Sequence, residues 1–354
     1  MGKDTEGSEP HVRWLGNRNM SKPLFFVADA HEGPVWVAQQ CRLYFTTKTH
    51  LDTYQRVDIM YLDFSQFGVC SEQELWADLP ETAPLQIEAK LFYHDANMAN
   101  SMCLSADGRA LIVAEQGDKN RPSVISRIAL ADKTRSVLVD GFDGQPFNSL
   151  NKVILDQEGK LIISDPDYGF RQDFRPPPVL EPNIYSACPD GGLNCFRCNL
   201  EMPHGLALSP DEKYLFVTDT SNDGAHGDSI ELKRRKSVWR FAYNAETGEI
   251  SGEGKCCFAV AKGVPDGAVF AGEHLLVGGG DGVYVANQQG ELLGKIPTEK
   301  TAVNVALAAE GKHLFVTADD GVYLFRNWIN HLETEDSKNE TASTGASKLQ
   351  LADS

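Results

Sequence analysis

The chain has 354 residues, 42% of them hydrophobic, 23% charged and 9% aromatic, which is the profile of a globular protein with a substantial core and excludes a disordered or fibrous one. Thirty-three Lys and Arg against fifty Asp and Glu leave a formal charge of −17, so long-range repulsion argues against nucleic acid or an anionic membrane as partner. A small molecule is the expected partner.

No apolar run approaches the roughly 20 residues that cross a bilayer. The opening MGKDTEGSEPHVRW carries charges where an export signal has its apolar stretch, so a cytoplasmic location is expected. The eight cysteines are accordingly expected as reduced thiols.

In chain order, residues 1–20 read as a polar extension and residues 21–332 as a single domain. The apolar segment at residues 23–30 is its first strand. Six times thereafter a turn rich in Asp, Glu, Gly or Lys leads into a short apolar strand: Leu43-Tyr44-Phe45, Leu111-Ile112-Val113, Leu161-Ile162-Ile163, Leu215-Phe216-Val217, Leu275-Leu276-Val277 and Leu314-Phe315-Val316. An alternating apolar segment precedes each one, which makes every pair a hairpin. Six units share the chain at about 59 residues each, enough for the four antiparallel strands of a propeller blade. The expected fold is an all-β six-bladed propeller, closed by the segment at 23–30. Residues 333–354 lack apolar periodicity and read as a mobile tail.

Between the repeats lie features of other kinds. Residues 171–200 are Pro-rich and long for a blade connection, hence a candidate lid. Cys195 and Cys198, with Cys188 upstream, lack the second ligand pair of a structural zinc site. Cys256-Cys257 is expected as buried thiols. Residues 221–228 and the basic Lys233, Arg234, Arg235 and Lys236 read as a solvated loop, and Gly278-Gly279-Gly280 lacks the following helix of a nucleotide loop.

Nine to eleven residues before each strand's leading Leu stands a polar residue, although apolar residues follow it: Glu32, Asn100, Asn151, His204, Asp266 and Asn304. The innermost strand of each blade lines a propeller's channel, so equivalent positions converge on the axis. Two carboxylates and the amides supply hard oxygen donors suited to Ca²⁺.

The motifs around these positions resemble the regucalcin and gluconolactonase family of six-bladed propellers, and fungal gluconolactonase-like proteins in particular. They are His31-Glu32-Gly33-Pro34-Val35-Trp36, Asn148-Ser149-Leu150-Asn151, Asp165-Pro166-Asp167-Tyr168-Gly169, Pro203-His204-Gly205-Leu206 and Pro265-Asp266-Gly267. The resemblance implies a divalent cation, Ca²⁺ or a similar ion, held by Glu32, Asn151, His204 and Asp266, and hydrolysis of a small-molecule lactone. Two positions depart from the family pattern: His204 stands where the family has Asn, and Lys152 where it has Asp. With the ion, the expected chemistry is Lewis-acid polarisation of the lactone carbonyl, with Asp219 as the candidate carboxylate that activates water. Asn100, Asn148, Lys152 and Asn304 are candidate substrate contacts. Without the ion, His204 and Lys152 become donors for cyclisation or isomerisation of a natural product. A non-catalytic ligand-binding propeller is the third reading.

Overall fold

The computed structural model describes residues 23–51, 54–67, 87–189, 191–221 and 236–328. The expected extension at 1–20, the tail at 333–354, most of the loop at 221–228 and the basic residues Lys233, Arg234 and Arg235 lie outside the described residues.

The described residues form six four-stranded antiparallel sheets. Blade one is β2 (Glu32–Val37), β3 (Arg42–Thr46), β4 (Ile59–Asp63) and β5 (Lys90–Tyr93); blade two is β6 (Ala99–Leu104), β7 (Ala110–Glu115), β8 (Val124–Ala129) and β9 (Arg135–Val139). Blade three is β10 (Val153–Leu155), β11 (Leu161–Asp165), β12 (Asn183–Ala187) and β13 (Leu193–Phe196); blade four is β14 (Pro203–Leu208), β15 (Tyr214–Asp219), β16 (Ser237–Asn244) and β17 (Glu249–Ala259). Blade five is β18 (Ala268–Ala271), β19 (His274–Gly279), β20 (Gly282–Ala286) and β21 (Leu292–Pro297). Blade six is β22 (Asn304–Ala308), β23 (His313–Thr317) and β24 (Asp319–Phe325), completed by β1 (Leu24–Ala30) as its outer strand.

The pairing of β1 with β24, in register from Leu24 opposite Leu324 to Val27 opposite Gly321, joins the two ends of the described chain. This closure covers the edge that an open ring would leave unpaired.

Each predicted apolar triplet lies in the second strand of its blade: β3, β7, β11, β15, β19 and β23. Neighbouring blades cover these strands on both faces, so they read as continuous apolar runs; β7, β11 and β23 are buried throughout. Outer strands such as β9 are largely exposed. Six apolar clusters fill the gaps between blades. In the one that seals the ring, Trp36 of blade one stacks on Phe315 of blade six with centroids 5.5 Å apart. A fully buried side chain such as Phe315 contributes roughly 1.5–3 kcal/mol.

Residues 171–200 are only in part the connection expected to form a lid. They supply β12 and β13, the third and fourth strands of blade three, because the Pro and Gly residues fall between short extended runs. Among the described residues no helix is long and apolar enough to cross a membrane.

Candidate functional site

The six in-register positions all fall within two residues of the start of an innermost strand. Five of them, Glu32, Asn100, Asn151, His204 and Asp266, line one cavity of about 210 Å³. Asn304 does not line it. Its amide is turned behind Glu32, with Nδ2 donating to Glu32 Oε2 at 2.5 Å and Oδ1 accepting from Val305 N at 2.8 Å.

Local backbone shape aims these side chains. The β2–β3 register shifts between Glu32 and Val35, a bulge that turns the first residue toward the axis. Gly33 enables it: its φ is +56°, and a Cβ there would stand 2.8 Å from the carbonyl oxygen of Asn100 on the next blade. Gly267 serves a different need, since a Cβ on it would come within 2.1 Å of the Asn304 amide.

At three of the six junctions a hydroxyl group ties a blade to its neighbour. Thr46 Oγ1 donates to Asn100 O at 2.9 Å, Ser164 Oγ to His204 O at 2.7 Å, and Thr218 Oγ1 to Asp266 O at 3.0 Å. The second strand of one blade thereby fixes the backbone of the next blade's axial residue. Sequence reasoning missed these residues although a signal exists, because each stands three positions after its strand's leading Leu.

Glu32, His204 and Asp266 form the centre, each offering one donor atom, with all three atoms within 4.8 Å of one another. His204 Nδ1 lies 3.3 Å from Asp266 Oδ1, and its ring meets Tyr168 edge-on at 5.6 Å. The two carboxylates are driven apart in acidity. Burial pushes Glu32 up, but the charges of His204, His31 and Lys152 and the Asn304 hydrogen bond outweigh it, so its pKa is lowered. Burial and then the neighbouring Glu32 charge raise Asp266 well above the ordinary carboxylate range. The side-chain oxygens of Asn100 and Asn151 are buried and make no hydrogen bond among the described residues. Two carboxylates, one imidazole and two unsatisfied amide oxygens around a small cavity fit a divalent cation, with the imidazole making the set softer than an all-oxygen Ca²⁺ cage.

The remaining candidates are placed differently. Lys152 is buried, but its Nζ donates to Asn304 Oδ1 at 3.3 Å and the residue is not among those lining the cavity. Asp219 is not among them either; its Oδ1 accepts from Ser221 N at 3.0 Å and Met202 N at 3.3 Å, holding the loop that carries the lining residue Thr220. Burial pushes its pKa up to about 6. Asn148, also outside the lining, donates its backbone N–H to Asp165 Oδ2 at 2.9 Å. From residues 171–200, Gln172 lines the cavity. Arg175 staples the loop beside it, donating to the carbonyls of Asn148 and Phe147 at 2.8 and 2.9 Å. Cys188, Cys195 and Cys198 are free thiols; Cys198 is buried and Cys256 exposed, the latter contrary to expectation because it faces outward on β17.

His31 is a lining residue whose role the sequence did not disclose. Its Nδ1 lies 2.7 Å from Asp319 Oδ1, across 288 positions of chain. Burial acts to lower its pKa, but the Asp319 hydrogen bond and the surrounding carboxylates raise it overall.

Fold and site together define a six-bladed propeller with a polar pocket at the convergence of its inner strands. The chain belongs to the family described as SMP-30/Gluconolactonase/LRE-like region, which it matches over residues 30–320. It is 28% identical over 239 residues to a gluconolactonase of Zymomonas mobilis, covering 64% of this chain and 63% of that one. It is 29% identical over 224 residues to the lactonohydrolase oryL of Aspergillus oryzae, covering 58% of this chain and 50% of the relative. The match thus spans less than two thirds of each relative's length. Among solved structures, a gluconolactonase from Xanthomonas campestris superposes with a TM-score of 0.67 at 25% identity, covering 86% of this chain and 88% of that one.

Proposed function

We propose that the protein hydrolyses a small, polar lactone in the axial cavity, with a divalent cation, Ca²⁺ or a similar ion, held by Glu32, Asn151, His204 and Asp266. The observation that carries this reading is the meeting of the Glu32, His204 and Asp266 donor atoms within 4.8 Å. The names of the related gluconolactonase and lactonohydrolase support the reaction type. The cavity, about 210 Å³, is small beside typical ligand pockets of about 300–1,000 Å³. Thr47, Thr49, Asn100, Gln116 and Gln172 give it polar walls, which suit a hydroxylated ring better than a long alkyl chain.

When bound, the cation supplies Lewis-acid polarisation of the lactone carbonyl. The residues do the rest. Asn100 and Gln116 offer hydrogen bonds to ring substituents, and Tyr168 packs against His204 and holds its ring in place. Asp319 fixes His31 by Nδ1, leaving Nε2 as the atom to accept the proton of the attacking water. This assignment replaces Asp219, whose carboxylate is committed to backbone N–H groups. Lys152 is directed to Asn304, so the metal-free reading through His204 and Lys152 has no pair of donors facing the cavity.

The test is a panel of γ- and δ-lactones assayed on purified protein, before and after chelation and with Ca²⁺ or Mn²⁺ restored. Hydrolysis that disappears with chelator and returns with the ion is expected; hydrolysis indifferent to chelator would sink the ion assignment. His31→Asn should lower kcat about 10²-fold while leaving ion binding intact, and undiminished kcat would remove His31 from the mechanism.

A further inference from the structure

Lys152 is a charged group beside the axis that the proposed reaction does not use, and it sits in an expensive place. A buried ammonium costs several kcal/mol unless negative charge and hydrogen-bond acceptors compensate it. Here the acceptor is Asn304 Oδ1 at 3.3 Å, and the same amide donates through Nδ2 to Glu32 Oε2 at 2.5 Å. Asn304 cannot readily turn away. Gly267 packs so closely that a Cβ on it would overlap the amide, and Val305 N holds Oδ1 from the backbone at 2.8 Å. The result is a fixed relay, ammonium to amide to carboxylate, joining blades three, six and one. Burial lowers the Lys152 pKa, and the negative charges of Glu32 and Asp266 work against that to keep the ammonium.

The carboxylate at the end of this relay is one of the three groups whose donor atoms meet in the cavity. A divalent ion there and the Lys152 ammonium draw on the same negative charge. Cation affinity in oxygen-rich sites is set largely by how many ligand charges are left for the ion, and two cations within one buried cluster repel strongly.

We propose that Lys152 is a built-in cation of the axial site that takes up part of the Glu32 charge, so that a divalent ion is held loosely and exchanges. This rests on the ion-site reading above. Activity then follows the free concentration of the ion, and a neutral residue at 152 converts the site into a tight one.

The test is isothermal titration of the full-length protein with Ca²⁺ and, separately, Mn²⁺, on the wild type, Lys152→Gln and Lys152→Met, with thermal unfolding to establish that each is folded. Lys152→Gln keeps a donor for Asn304 Oδ1 while removing the charge; Lys152→Met removes both. Both variants should bind the ion at least roughly tenfold more tightly than the wild type. If Lys152→Met does not fold, Lys152→Gln alone carries the comparison. Affinity in Lys152→Gln equal to or weaker than that of the wild type overturns the proposal and leaves the ion site standing. A Lys152→Met variant that weakens binding while Lys152→Gln leaves it unchanged assigns Lys152 a purely propping role, and overturns the proposal as well. Absence of binding in all three proteins at millimolar ion sinks the ion-site reading and this proposal with it.

Discussion

Two hollows in this molecule invite comparison. The axial cavity, about 210 Å³, gathers Glu32, Asn100, Asn151, His204 and Asp266 from five blades. A cleft of about 630 Å³ opens between blades two and three, with Ile112, Phe142, Leu155 and Leu161 on its walls and the exposed Asp140 and Asp143 beside them. The cleft is three times larger and much plainer. Blades fan apart with distance from the axis, so gaps between their outer strands follow from the architecture. Convergence happens only at the centre, where equivalent positions of all repeats approach one another. Size therefore does not single out the candidate site here; the meeting of titratable groups with shifted acidities does.

The largest expected effect breaks the axial side of that contrast. Glu32→Gln keeps the shape and removes a ligand charge, and should lower lactone kcat/KM roughly 10³-fold together with ion affinity by calorimetry. A variant with wild-type kcat/KM would leave the axial cavity no more functional than the cleft.

The second prediction concerns pH and the loops around the axial cavity. Burial pushes Asp165 up to about 7 and Asp219 up to about 6. An unfolded chain has shed both protons by about pH 5, whereas the folded protein still holds them. Stability should therefore fall with rising pH from about 4, where the unfolded chain loses these protons, and level off above about 7, where the folded protein has lost them too. The unfolding midpoint should decline across that window, and less steeply in Asp219→Asn, since an amide oxygen still accepts from Ser221 and Met202. A flat midpoint would mean that the two carboxylates are already ionised in the folded protein.

A smaller effect comes from the packing behind Glu32. Gly267→Ala drives a methyl into the Asn304 amide, which should cost roughly 1–3 kcal/mol of stability and about tenfold in kcat/KM, read by thermal unfolding and steady-state kinetics. At the bottom of the scale, Leu138→Ser in the cleft, a side chain already 45% exposed, should change lactone turnover by less than about twofold. A large loss there would give the cleft a part in function.

Particular residues mark how far the sequence could be read. The six leading Leu residues disclosed the second strands because those strands are covered on both faces and read as apolar runs. The polar residues nine to eleven places before them pointed to the axis. The same offset failed to say which way each side chain turns. Asn304, in perfect register, is rotated behind Glu32; Lys152, one place after an axial Asn, is directed to that amide and not to the cavity. Thr46, Ser164 and Thr218 were visible as a repeated position but carried no meaning until the neighbouring blade's carbonyl was beside them.

The sequence by itself determined the repeat, the number of blades, the strand that closes the ring and the list of polar groups that could meet, because periodicity and burial are local properties of the chain. The tertiary structure alone decided who touches whom: Glu32 and Asn304 are 272 residues apart, and His31 and Asp319 are separated by still more of the chain. Both contacts exist because closing the ring brings the first and last blades side by side, and no local pattern encodes the rotamer that a side chain adopts against a partner from so distant a segment.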